Sequence, residues 1–499
     1  MMAKTILTVD AGTSRLKAAL YHQSGEQLAF ASRNMTVIHP FDGACEMDMR
    51  AVWDGLVAVC NELAENAPQA WQELMGVAIT GQGDGMWPLD ADGEPVGNAI
   101  LWNDSRCKRL NLPNEAEITA FGVKHSLSPL FVGAVPSILR WLMEYEPQRL
   151  AKIRYAIHCK DWLVYRLTGR IMTDRSDAST ALMNILQDRY EFDQLGLMGL
   201  PDETRQVFPE ILDSLEIVGE TNQAAESVCR LPAGLPVMAG ALDVAAATFG
   251  AGARQPGDAV TILGTTFSNQ VILDASQVSH EDVAGSTLCY LYPSTFIRVM
   301  ATTNGAAAME WARKTLLQGL PLGEMEAGVS AIPAGSEGVF FQPYLNGERA
   351  PFRESRAAGA FLGITPRHSA FHLMRAVFEG LAYSLRDCYE HLPKGDTPVI
   401  LAGGASASQA MCQICADVLQ RPMLRVPEQE FGLFGMACAL LETLGFEITQ
   451  SAPEQRGELF IPRDEFTPLY QEGYAIYRQL RDASMDFWAA RDRFIQRSK

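Results

Sequence analysis

Residues Ile6 to Ser14 read ILTVDAGTS, an apolar run of β type that breaks at Gly12-Thr13-Ser14, and residues Ala259 to Ser268 read AVTILGTTFS, which breaks in the same way at Gly264-Thr265-Thr266. The two turns stand about half of the 499-residue chain apart. A repeat at that interval signals two copies of one fold rather than a solenoid of short units. A further β-type run follows each turn, RLKAALYH after the first and NQVILD after the second, so each copy is expected to open with a β-hairpin. Small residues let backbone N–H groups converge there, and the hydroxyls add donors, an arrangement that suits phosphate. Taken singly, either turn is also ordinary hairpin chemistry, because Gly tolerates positive φ. Facing each other across a cleft, the two could clamp a triphosphate from both sides.

Away from these landmarks the pattern alternates strand and helix. GVAIT, PVMAG and PVILAGG are short apolar runs, whereas HLMRAVFEGLAYSLRDCYEHL and QAMCQICADVLQ have helical spacing. The longer helix sets Phe371, Met374, Phe378, Leu381 and Leu385 on one face. Such alternation predicts an α/β fold. The small-residue stretch ATFGAGARQPG, just before the second hairpin, marks the boundary between the copies and gives domains of residues 1–247 and 248–499.

Bulk properties exclude several functional classes. A chain that is 47% hydrophobic and 20% charged has a globular composition with apolar material for more than one core. Its formal charge of −18 disfavours DNA, RNA and anionic membrane surfaces, and leaves a small ligand as the natural partner. The start MMAKTILTVDAG has no basic segment, apolar run and cleavage site, and no stretch approaches a membrane span, so a cytoplasmic protein is expected. Among the cysteines only Cys412 and Cys415 form a C-x-x-C, with no second pair or nearby histidines to complete a zinc site. They read as buried helix thiols in a reducing compartment.

Four groups of residues carry candidate chemistry. Asp10 closes a buried β-type run beside the first Gly turn; its carboxylate could hold Mg²⁺ near phosphates, or serve as a turn-forming Asp. Asp243, in VMAGALDVAAATFG, is an acid among small apolar residues, either a helix N-cap or a general base for an attacking hydroxyl. Gly403-Gly404-Ala405-Ser406, with Ser408 following, is a strand–turn–helix unit that could bring backbone close to an adenosine, or a purely structural turn. The segments Thr80-Gly81-Gln82-Gly83-Asp84-Gly85 and Ile100 to Arg106 combine carboxylates and amides, suited to vicinal hydroxyls, with Trp87 and Trp102, which could cover a carbon chain or pack in the core.

The segment GAFLGITPRHSAFHLMRAVFE, residues 359–379, is the most specific of all. Its Gly359, Phe361, Gly363, Ile364, His372, Leu373, Ala376, Val377, Phe378 and Glu379 fit the C-terminal signature of the FGGY carbohydrate kinases, which the chain resembles. ILTVDAGTS, CEMDMRAVW, AILWNDSR, CKDWLVYRLTG, TDRSDAST, YLNGERAPF and VILAGGAS follow in that family's order, over nearly the whole chain.

The resemblance implies two ribonuclease-H-like domains of the actin-like ATPase kind, ATP and Mg²⁺ in a central cleft, and transfer of the γ-phosphate to a hydroxyl. It also implies roles by position. Asp243 falls at the catalytic base, and Gly12, Thr13 and Ser14 at the first phosphate loop, with Lys17 as a basic residue near the phosphates. Gly264 and Thr265 fall at the second loop; Gly305, Gly404 and Ser408 at nucleotide contacts; Gly83 and Asp84 at the substrate, and the sugar is expected to bind against Asp84, Trp102 and Asp243. An acid at position 84 leans toward polyol recognition, while AILWNDSR and CKDWLVYRLTG resemble the xylulokinase branch, so a ketose or polyol of four to six carbons is expected. The other reading is a nucleotide- and sugar-binding sensor on the same fold. A homodimer is the expected assembly.

Overall fold

The computed structural model describes residues 4–279, 284–427, 429–446 and 457–497. The first half is built on strands β1 (Thr5–Ala11), β2 (Arg15–His22), β3 (Gln27–Asn34), β4 (Leu74–Gly81), β5 (Ile217–Glu220) and β6 (Pro236–Leu242), in sheet order β5-β6-β4-β1-β2-β3. The second is built on β7 (Ala259–Leu263), β8 (Phe267–Asp274), β9 (Ser286–Cys289), β10 (Thr295–Ala301), β11 (Val399–Ala402), β12 (Met423–Arg425) and β13 (Glu458–Phe460), in order β9-β10-β8-β7-β11-β12-β13. Each half opens with the expected antiparallel hairpin and then adds two parallel strands beside its first strand: β4 and β6 in one, β11 and β12 in the other. The internal echo in the sequence is thus a repeat of topology.

β1 is flanked on both sides and buried on both faces, which is why it reads as a continuous apolar run rather than an alternating one. Leu7 and Val9 pack toward helix α1 (Met49–Asn66), and Ile6 toward the opposite face. Further helices are α2 (Cys159–Thr168), α3 (Arg175–Ala178), α4 (Asp243–Ala251), α5 (Ala306–Leu317), α6 (Ala370–Tyr389), α7 (Gln409–Leu419), α8 (Phe431–Thr443) and α9 (Thr467–Arg497). In α6 the face predicted from spacing is real: Met374, Phe378, Leu381 and Leu385 are buried, and Phe371 is partly so. Cys412 and Cys415 are buried free thiols in α7.

α4 follows β6 and α8 follows β12, so the two helices occupy equivalent places in the repeat. They cross between the sheets within one apolar cluster that draws Ile6, Met238 and Phe249 from the first half and Val260, Ile400 and Leu433 from the second. Glycines set the spacing: a Cβ on Gly250 would stand 1.9 Å from the Phe431 carbonyl oxygen, and one on Gly435 2.0 Å from that of Ala246. The small residues of ATFGAG therefore serve close helix packing, and positions 247 and 248 lie inside α4, which ends at Gly252 with φ +111°. No helix among the described residues is long and apolar enough to cross a membrane.

Candidate active site

The ends of β1, β4 and β6 point the same way, and their last residues, Asp10-Ala11, Gly81 and Leu242, lead into the loops that floor a cleft of about 710 Å³. Gln82, Gly83, Asp84, Trp102, Thr180 and Asp243 line it from the first half; Thr266, Ser268, Glu348, Arg349 and Arg353 line it from the second. Asp243 is the first residue of α4, and its Oδ1 accepts from the Val244 N–H at 2.6 Å. Burial, reinforced by the negative charge of Asp10, pushes its carboxyl up to about 7. Burial likewise raises Asp10 to about 6, against the pull of Lys17. Asp84, held at φ +51°, is raised to about 6 by burial, against the Thr180 hydroxyl and the charge of His158.

Three polar atoms on the cleft wall are buried and have no hydrogen-bond partner: Gln82 Nε2, Asp84 Oδ1 and Glu348 Oε2. Each such orphan costs about 1–3 kcal/mol. One donor and two acceptors around a cavity are the complement of a ligand rich in hydroxyls. Trp102, 37% exposed, lays its ring on the same wall and donates from Nε1 to Thr13 Oγ1 at 3.0 Å, while that hydroxyl donates to Gln82 Oε1 at 2.9 Å. The first Gly turn and the segment from Thr80 to Gly85 are thus coupled through Thr13. Trp87, by contrast, is fully buried beside Leu89, Ile157 and Trp162; it is a core residue and does not line the cleft.

The remaining expected residues distribute as follows. Gly12 N donates to Arg15 O at 3.1 Å, closing the hairpin turn, and Ser14 is exposed beside it. Lys17 Nζ pairs with Glu430 of the second half. Gly264 and Thr265 offer their carbonyls to Ala306 N and Ala307 N at the start of α5, so the second turn rests on that helix. Gly305 packs under the same turn, where a Cβ would meet the Thr266 carbonyl carbon at 2.8 Å. Gly403 and Gly404 line a second cavity of about 350 Å³ with Ser406, Ala407, Arg425, Val426, Pro427 and Glu458. Ser408 is not part of that lining: its hydroxyl accepts from Met411 N as the cap of α7 and donates to Glu326 Oε1 at 3.0 Å.

The FGGY family of carbohydrate kinases matches through its N-terminal domain over residues 5–250 and through its C-terminal domain over residues 259–441. The chain belongs to that family and is a carbohydrate kinase by class. It is 27% identical to the xylulose kinase of Lactococcus lactis, over 95% of this chain and 96% of that one, and 27% identical to the erythritol kinase of Brucella abortus, over 97% of each. Its fold superposes on the crystal structure of a xyloylose kinase from Brucella ovis with a TM-score of 0.89 at 27% identity, covering 97% of this chain and 100% of that one.

Thr180, Glu348, Arg349 and Arg353 line the cleft without a role expected from the sequence. Glu348 and Arg349 stand in YLNGERAPF, where a Glu-Arg pair beside a Gly was the available signal. Arg353 left none; only folding brings it to the cleft.

Proposed function

We propose that this protein transfers the γ-phosphoryl group of ATP to a hydroxyl of a ketose or polyol of four to six carbons, a xylulose-type ketopentose or a sugar alcohol such as erythritol. The observation that carries the reading is Asp243 on the cleft wall, with a pKa near neutrality, among three orphaned polar atoms that a polyhydroxylated ligand would satisfy. A base whose pKa lies near working pH accepts a proton most effectively.

In this reading Asp84 and Gln82 hold substrate hydroxyls, Gly83 leaves room for them, and Trp102 covers the carbon chain. Asp243 accepts the proton of the attacking hydroxyl as the phosphoryl group moves in line. The turns at Gly12-Thr13-Ser14 and Gly264-Thr265 offer donors to the phosphates, with Lys17 and Gly305 beside them, and the cavity at Gly404, next to Ser408, takes the adenosine. Asp10 fits Mg²⁺: it is a hard oxygen donor, and its carboxylate has no hydrogen bond or ion pair among the described residues; the ion would supply charge neutralisation at the phosphates. Closure of residues 1–247 on residues 248–499 would exclude water, the competing acceptor. ATP supply and ten free thiols fit a cytoplasmic location.

The test is ADP release from Mg·ATP across a panel of ketopentoses, ketohexoses, tetritols, pentitols and glycerol. One ketose or polyol of four to six carbons should raise the rate far above that with ATP alone. Silence across the panel while ATP still binds would overturn the reading, and a response to glycerol alone would overturn the size range.

A further inference from the structure

Beneath the cleft floor lies a buried charged cluster that reaches the carboxylates described above through its field, His158 on Asp84 and Asp177 on Asp243. Lys160, in the first turn of α2, is fully buried, and its Nζ lies 2.5 Å from Asp161 Oδ1, 2.7 Å from Asp174 Oδ1 and 3.0 Å from Asp177 Oδ2. His158 joins it, with Nδ1 3.3 Å from Asp161 Oδ2. His158, Asp161 and Asp177 stand close enough to ligate a cation, and the Lys160 ammonium already supplies that positive charge. Burying such ions costs several kcal/mol each, and packed apolar side chains of similar volume often stabilise a fold as well or better. Stability alone therefore does not account for the cluster.

Its connections lead to the cleft. The Asp174 carboxylate accepts the Ser176 hydroxyl at 2.6 Å on Oδ2, the oxygen that also accepts Ser214 Oγ at 2.6 Å. With its single proton committed to that anion, Ser176 Oγ turns a lone pair to the backbone N–H of Leu242, at 2.8 Å. Leu242 ends β6 and is followed directly by Asp243. A second connection runs through Asp177. Its Oδ1 has no hydrogen-bond partner and would stand 3.0 Å from a Cβ on Gly83, while its backbone carbonyl accepts from the Thr180 hydroxyl at 2.9 Å.

We propose that the chain Lys160–Asp174–Ser176 is a positioning device for Asp243: it fixes the Ala241–Leu242 peptide at the end of β6, and with it the start of α4 and the Asp243 carboxylate, against the reacting hydroxyl. Each link has one polarity: the Leu242 N–H donates to Ser176 Oγ, that hydroxyl donates to Asp174, and the Lys160 ammonium donates to the same carboxylate, so the peptide has one satisfied orientation. The inference rests on the assignment of Asp243 as the base.

Ser176→Ala removes the last link at small steric cost, and Ser176→Thr keeps the hydroxyl. Misplacing a reacting group by about 1 Å can cost about 10²-fold in rate, so Ser176→Ala should lower kcat on the order of tenfold or more. KM for the sugar and for ATP should stay within about twofold, and Ser176→Thr should recover most of kcat. Wild-type kcat in folded Ser176→Ala, or a loss that Thr does not restore, would overturn the proposal. Should Ser176→Ala not fold, Ser214→Ala probes the same Asp174 oxygen: a fall in kcat at constant KM supports the proposal, and an unchanged kcat overturns it. Asp243→Asn is measured alongside. Full activity there would sink the base assignment itself, whereas an inactive Asp243→Asn beside a normal Ser176→Ala would sink only the positioning role.

Discussion

Lys17 and Glu430 join the two halves of the molecule, with Nζ 2.5 Å from Oε2. Lys17 lies on β2 just past the first Gly turn, and Glu430 immediately precedes α8. Both side chains are partly exposed, so the pair adds only about 0–1 kcal/mol to stability. Its interest is competitive, because a triphosphate at the turn would draw the same ammonium. Lys17→Met should raise KM for ATP on the order of tenfold, the loss of one charged hydrogen bond. Glu430→Gln, which frees the ammonium, should leave that KM equal or lower. Steady-state kinetics at varied ATP decide it; equal KM in Lys17→Met and wild type would remove Lys17 from the phosphate site.

The carboxyl of Asp243 titrates near 7, above the ordinary 3.8, and must be ionised to act as a base. The rate at low sugar should therefore rise with pH through about 7, and a profile flat from pH 5 to 9 would contradict the role. The same shift acts on stability. Between pH 4 and 7 the folded protein holds a proton that the unfolded chain has released, so stability falls as pH rises through the folded pKa. Asp243→Asn should accordingly be more stable than wild type at both pH 5 and pH 8, with an advantage about 2–3 kcal/mol larger at pH 8. Thermal melts at the two pH values test the sign.

Trp102→Ala removes both the exposed ring and the donor to Thr13. KM for the sugar should rise on the order of tenfold, with a stability loss of about 1 kcal/mol or less because the ring is only partly buried. Trp102→Phe should fall between the two. A wild-type sugar KM in the Ala variant would move the substrate off this wall.

Gly435→Ala would normally stabilise a helix interior by about 1 kcal/mol. Here the new methyl would meet the Ala246 carbonyl at 2.0 Å and the Gly250 nitrogen at 2.9 Å, backbone atoms that cannot swing aside. The expected result has the opposite sign, a loss of about 1–3 kcal/mol measured by denaturant unfolding. A stabilised variant would mean that α4 and α8 are not in backbone contact.

What the sequence made legible was local and periodic. The hairpins at Gly12 and Gly264 could be read because a β-type run, a small-residue turn and a second run are contiguous, and α6 because its apolar residues keep helical spacing. Asp243 stood out as an acid among small apolar neighbours. The tryptophans could not be told apart, since the ring that is buried (Trp87) and the ring that faces the cleft (Trp102) differ only in which long-range contacts form. Lys160, Asp161, Asp174 and Asp177 lay in recognisable segments, yet nothing local shows that three carboxylates meet around one ammonium. The Glu348, Arg349 and Arg353 side of the cleft has the same cause: it exists only where the second half folds over the first.

The apolar cluster at the α4–α8 crossing belongs to neither repeat alone, and this bears on how the molecule comes apart. A chain severed near residue 250 would expose on each piece the surface that the other covers, Ile6, Met238 and Phe249 on one side and Val260, Ile400 and Leu433 on the other. Duplication gave two copies of a topology, but interdependence has made them one cooperative unit. The halves should melt in a single calorimetric transition, and neither should be recovered as a soluble fragment after proteolysis.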